Sequence, residues 1–165
     1  MHNRPRENQG TMPAGELTEL QKRGIEARVE KNPVLTFMGI EVLEVRPYEA
    51  TILLRHREDF HNSLGLVQGG VLAVVADVAG GLSLYSVLPD PREVAIPTIE
   101  FKLNFLRPAG PEDLLARGRL VHRGRQVAVC QVDVSDGSGR HLATGLFTYM
   151  VKPKEDLDSG ETLNP

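Results

Sequence analysis

From Thr98 to Phe105 the side chains alternate without a break: Ile99, Phe101, Leu103 and Phe105 are apolar, and Thr98, Glu100, Lys102 and Asn104 between them are polar. A period of two is that of a half-buried strand. Similar runs over 40–46 and 50–55 flank the turn-forming Pro47-Tyr48-Glu49, and 114–122 and 126–135 flank Arg123-Gly124-Arg125. Asp136-Gly137-Ser138-Gly139 makes the next turn into a strand over 141–151. Residues 16–31 instead place Leu17, Leu20, Ile25 and Val29 at helical spacing, and Pro33 is expected to close that helix.

The run from 71 to 88 is almost wholly apolar and nearly as long as the ~20 residues that span a bilayer. It carries Asp77 near its middle, with Gly80, Gly81, Ser83 and Ser86, and no basic residues flank it closely. A central Asp costs roughly 2.5–3.5 kcal/mol on insertion, and strands surround the run on both sides. It reads as a buried helix. The order predicts an α+β fold: an antiparallel sheet of about six strands curled around one long helix. A helix apolar on nearly every face must be covered all round, so a sheet edge or a second subunit has to complete the cover.

Composition narrows the partners. The 165 residues suit one domain, placed at 16–152 between a flexible N-terminal tail (1–15) and an acidic, flexible C-terminal tail (153–165). The first fifteen residues lack the apolar stretch of a secretory signal. With a net charge of −3, no Trp and only eight aromatic residues, nucleic-acid binding is not expected. Yet residues 101–125 hold six basic side chains against Glu112 and Asp113, enough for one compact polyphosphate ligand. The single Cys130 excludes an intrachain disulfide and fits a cytoplasmic setting; on its alternating strand it reads as packing. His56, His61, His122 and His141 have no i,i+4 pairing, so no metal is expected, and no phosphate-binding or dinucleotide fingerprint is present.

Two features carry chemistry. Gly69-Gly70 at the start of the apolar helix leave backbone N–H groups uncovered, favouring developing negative charge through free donors and the helix dipole; a plain turn into a helix has the same pattern. Asp77 has Ala73, Val74, Gly80 and Gly81 as helical neighbours, so nothing on its own helix can pair with it. It is either a buried carboxylate satisfied from a strand or a functional group whose pKa apolar surroundings raise, as suits a base or nucleophile. Asp77 lies eight residues after Gly69, about 12 Å along a helix. An attacking group and an oxyanion donor must both reach one carbonyl. If both residues are catalytic, they act most simply across a two-fold dimer.

Asn62, followed after five residues by Gln68-Gly69-Gly70 and then by Asp77 on the central helix, resembles the hotdog-fold acyl-CoA thioesterases, in the phenylacetate-degradation (PaaI-like) branch. The similarity runs from about residue 37 to 151 and includes Phe105-Leu106-Arg107-Pro108-Ala109 and the Gly124 hairpin. It implies hydrolysis of an acyl-CoA to free acid and CoA with no further cofactor, in a dimer or tetramer. Asp77 would then be the nucleophile or the base that activates water, and the Gly69 N–H, beside Gly70, the oxyanion donor. Asn62 would hold substrate or water, and Thr98 would supply a water-positioning hydroxyl. The position that is commonly His in this branch is Gln68, which can hydrogen-bond but cannot titrate near neutrality, so a positioning role remains for it. Arg107, Arg123 and Arg125 are candidates for the CoA phosphates, although strand arginines commonly just face solvent. The rivals are a non-catalytic acyl-CoA-binding protein and, last, an enoyl-thioester hydratase, whose catalytic His paired with an acid on the central helix is not evident. The acyl group is not legible.

Overall fold

The computed structural model describes residues 15–155; of the expected tails, 1–15 and 153–165, residues 1–14 and 156–165 lie outside the described residues. Helix α1, Glu19–Glu30, opens with a capping box between Thr18 and Gln21. Gln21 Nε2 donates to the carbonyls of Ser86 and Leu88 at 3.1 and 3.2 Å, which docks α1 on the end of the central helix. Pro33 does more than stop α1. It is the first residue of a second short helix, α2 (Pro33–Met38), with the Asn32 side chain accepting from Val34 N at 3.1 Å. Proline suits this position because its missing N–H is an orphan there anyway. Gly39, at φ 72°, ends α2 in the left-handed conformation that glycine adopts without strain.

Strands β1 (Ile40–Arg46) and β2 (Glu49–Leu54) follow, then a 3-10 turn at Glu58–Phe60 and the central helix α3, Gly69–Tyr85. After a two-residue strand β3 (Val94–Ala95) come β4 (Thr98–Phe105), β5 (Leu114–Arg123), β6 (Val127–Asp136) and β7 (His141–Met150). The six long strands form one antiparallel sheet in the order β1-β2-β5-β6-β7-β4. This is the α+β hotdog architecture the sequence implied. A small second sheet pairs β3 with β8 (Lys152–Pro153), so the chain remains within the fold at Pro153. No helix among the described residues is long and apolar enough to cross a membrane.

The sheet curls around α3, whose Leu72, Val75, Ala76 and Ala79 are fully buried with Ala116, Val132, Val134 and Phe147 of the strands. Contact is closest at Gly118 of β5, where a Cβ would collide with the Ala79 carbonyl oxygen. The cover is uneven. Strand β4 has the alternation of a half-buried strand, yet Ile99, Phe101 and Phe105 remain 45%, 51% and 57% exposed. The expectation of a half-buried strand thus fails within one chain, because α3 packs mainly over β2, β5 and β6 and hardly reaches the β4 edge. On the helix, Val71, Val74 and Val78 are likewise only partly covered.

Candidate active site

The loop before α3 is built around Asn62. Its Oδ1 accepts from the N–H groups of Leu64 and Leu66 at 2.9 and 3.3 Å, and its own N–H donates to the Leu66 carbonyl at 2.7 Å. That leaves the Asn62 Nδ2 amide as the group able to meet a ligand. Gln68 is the N-cap of α3; its N–H donates to the Phe60 carbonyl at 2.8 Å, and its exposed side chain makes no capping bond. The N–H groups of Gly69 and Gly70 have no acceptor among the described residues. The Phe105 ring lies over Gly69, where a Cβ would come within 3.2 Å of it, so glycine keeps this helix end accessible. Two unpaired donors and the positive end of a helix dipole converge here.

Asp77 lies two turns further along α3. The Thr98 hydroxyl at the start of β4 donates to Asp77 Oδ1 at 2.8 Å, and the Tyr149 hydroxyl donates to the Asp77 carbonyl at 2.8 Å. Burial pushes the Asp77 carboxyl above its ordinary range, while the Thr98 and Tyr149 hydroxyls partly counter the rise. One carboxylate oxygen is thereby fixed, and the side chain borders a cleft of about 200 Å³ whose walls include Leu35, Leu82 and Ile96. Tyr149 is the site-shaping residue that sequence reasoning missed. The available signal was Gly80 inside a helix, a costly choice there; the atom nearest to a Cβ at Gly80 is the Tyr149 hydroxyl oxygen. Cys130 is no rival nucleophile, since burial pushes its thiol up to about 11.

The remaining candidates fall at two ends of the sheet. In the β5–β6 turn the Gly124 N–H donates to the Val127 carbonyl at 2.8 Å and Arg123 Nη1 to the Arg125 carbonyl at 3.4 Å. This turn shares a sheet end with Thr98, because Tyr149 pairs with both Ala128 and Thr98. Arg107 lies just past the other end of β4, donating to the His141 carbonyl at 2.9 Å, on the side where Phe105 covers Gly69. One group therefore holds Asp77, Thr98 and the 123–125 turn, and the other holds Asn62, Gln68, Gly69, Gly70 and Arg107. A single chain does not bring the two groups together.

Comparison with known proteins places this fold in a family. The Thioesterase superfamily model matches residues 64–143, from the Asn62 loop to the middle of the sheet. A Halobacterium salinarum protein carried under the name of an esterase is 30% identical over 136 residues, covering 77% of this chain and 89% of that protein. The medium/long-chain acyl-CoA thioesterase YigI of Escherichia coli is 30% identical over 97 residues, which is 52% of this chain and 63% of that protein. The structure of the phenylacetic acid degradation protein PaaI from Thermus thermophilus is similar at a TM-score of 0.65 and 26% identity, over 72% of this chain and 98% of that one. With these relatives and this architecture, the chain belongs to the hotdog-fold thioesterase superfamily and is PaaI-like.

Proposed function

We propose that the protein hydrolyses an acyl-CoA thioester to the free acid and CoA, using Asp77 of one copy and the Gly69 N–H of another. The observation that carries this reading is the Asp77 carboxylate: held by Thr98, raised by burial, and bordering a cleft sized for a small acyl group. With the thioester oxygen on the helix end at Gly69, its carbonyl carbon lies open to attack. Either water attacks while Asp77 takes its proton, or Asp77 attacks and the resulting anhydride is opened by water. In both routes the C–S bond breaks, the electron pair leaves on sulfur, and the CoA thiolate is protonated.

The two-copy site is supported by β4. It is an edge strand in the described sheet, and its inner apolar row is half exposed. Antiparallel pairing of β4 with its own copy would set the Thr98 end of one chain beside the partner's Phe105 end. The Asp77 group would then meet the Gly69 group, and the exposed valines of α3 would gain a cover. Arg107, Arg123 and Arg125, separated within one chain, would flank the same mouth, where the CoA phosphates could pair with them. The relatives named for acyl-CoA and phenylacetate chemistry agree with this substrate class.

The decisive assay is thiol release from a panel of acyl-CoAs by wild type and Asp77→Asn. The substitution keeps the acceptor for Thr98, so the fold is retained and turnover falls at least ~100-fold. Full turnover by the variant would remove Asp77 from the chemistry. Binding without turnover by wild type would leave a non-catalytic acyl-CoA binder.

A further inference from the structure

The cleft beside Asp77 has a chemically uneven floor. From Asp77 it runs along α3 past apolar Val78, Leu82 and Ile96, then ends at Tyr85, Arg28 and Asn32. Tyr85 lies eight residues beyond Asp77 on α3, about 12 Å along the axis. The same three residues also border a second cleft of about 310 Å³, to which Lys31, Arg92 and Lys154 contribute. Among the described residues no carboxylate lines that second cleft. Arg28 is fixed in place: it donates to the carbonyls of Pro91, Arg92 and Val94 at 2.9, 3.2 and 2.7 Å, and its guanidinium stands 5.5 Å from the centre of the Tyr85 ring. Lys154 is anchored through its N–H on the Glu93 carbonyl at 2.8 Å, while Arg92 is already paired with Asp90.

Burial pushes the Tyr85 phenol up and the Arg28 cation draws it back, so the hydroxyl keeps its proton at neutral pH and remains a donor. A plain alkyl end placed here would bury that donor without a partner, which costs binding. An anionic end would accept from it, and the ionised side chains that line the second cleft are all cations, Arg28, Lys31, Arg92 and Lys154. A site built to hydrogen-bond a substrate group rejects the analogue that lacks it far more strongly than a site that merely fits a methylene.

We propose that the acyl group taken by this cleft ends in a carboxylate, that the substrate is an ω-carboxyacyl-CoA, and that Tyr85 is the residue that selects it. This rests on the thioester-hydrolase reading for the reacting end, so the test separates the two. Analogues of suberyl-CoA and octanoyl-CoA with CH2 in place of the thioester sulfur are titrated calorimetrically into the full chain. The suberyl analogue binds at least about tenfold tighter, and Tyr85→Phe narrows the ratio. The exposed double variant Lys31→Gln, Lys154→Gln narrows it as well, and does so without touching the core. Equal binding of the two analogues by wild type, tighter binding of the octanoyl analogue, or an unchanged ratio in Tyr85→Phe overturns the inference. Thiol release from the two CoA esters is measured in parallel. Cleavage of both without selectivity leaves the hydrolase standing and removes the carboxylate specificity. Selective binding with no cleavage of either does the reverse.

Discussion

Asp77 is a charge placed where burial disfavours charge, and this has a consequence for stability that can be separated from catalysis. Its folded pKa lies above the ordinary 3.8, so in the window just above that value the folded chain holds a proton that the unfolded chain has released. The stability contributed by protonated Asp77 is therefore lost as pH rises through the folded pKa, and stays lost above it. Asp77→Asn does not titrate. Its melting temperature should exceed that of wild type at pH 8, with the gap closing as pH falls toward the ordinary carboxylate range. A variant less stable than wild type at pH 8 would contradict the assigned burial. At the N-terminus of the same helix, Gly69 permits a test that removes one donor, at the cost of a Cβ set 3.2 Å from the Phe105 ring. It is the first residue of α3, and Gln68 before it is already extended at φ −61°, ψ 134°, so proline is compatible with both positions. Gly69→Pro should keep the circular dichroism of the fold and lower kcat by about 10²–10³, the cost of one oxyanion donor. Asp77 is legible from its place on an apolar helix, and Thr98 only through the family resemblance, as a hydroxyl for water and not as the partner of Asp77. Tyr149 is not, because Gly80 signals a close approach without saying which distant side chain makes it.

Among the elements, legibility followed length. Strands β1 and β4 begin and end where the alternation does, and α3 starts at the glycine pair. Helix α2 and the β3–β8 pair are not legible, since six residues make less than two helical turns and two residues show no alternation. The exposure of β4 was also hidden: a pattern of two says which side chains share a face, and nothing about whether another element covers it. Close approach between elements is where substitution costs most. A Cβ at Gly118 would strike the Ala79 carbonyl oxygen and lie 2.8 Å from Gly80 N, both helix backbone atoms that cannot rotate away. Gly118→Ala should cost about 3 kcal/mol, visible as a melting temperature lower by roughly 6–12 °C. An unchanged melting curve would mean that α3 sits further from β5 than described.

For the whole molecule, the separation of the Asp77 and Gly69 groups means that the proposed two-copy site makes assembly part of the chemistry. Asp77→Asn supplies a sound Gly69 end, and Gly69→Pro supplies a sound Asp77 end. Mixed in equal amounts after unfolding and refolding together, half the dimers would be hybrids carrying one complete site, so about a quarter of wild-type activity should return. If each site lay within a single chain, the mixture would be as inactive as its parts.

The bare edge at β4 bears on how such a protein comes into being. A strand with unpaired backbone groups and half-exposed Ile99, Phe101 and Phe105 is a template for any extended chain nearby. With the β4 pairing proposed above, an isolated copy is exposed to wrong pairing until its partner arrives. The race is between a bimolecular encounter and aggregation, and both quicken with concentration. Its outcome turns on how fast the matching edge is found, so synthesis of two chains close together would guard this fold as effectively as added stability.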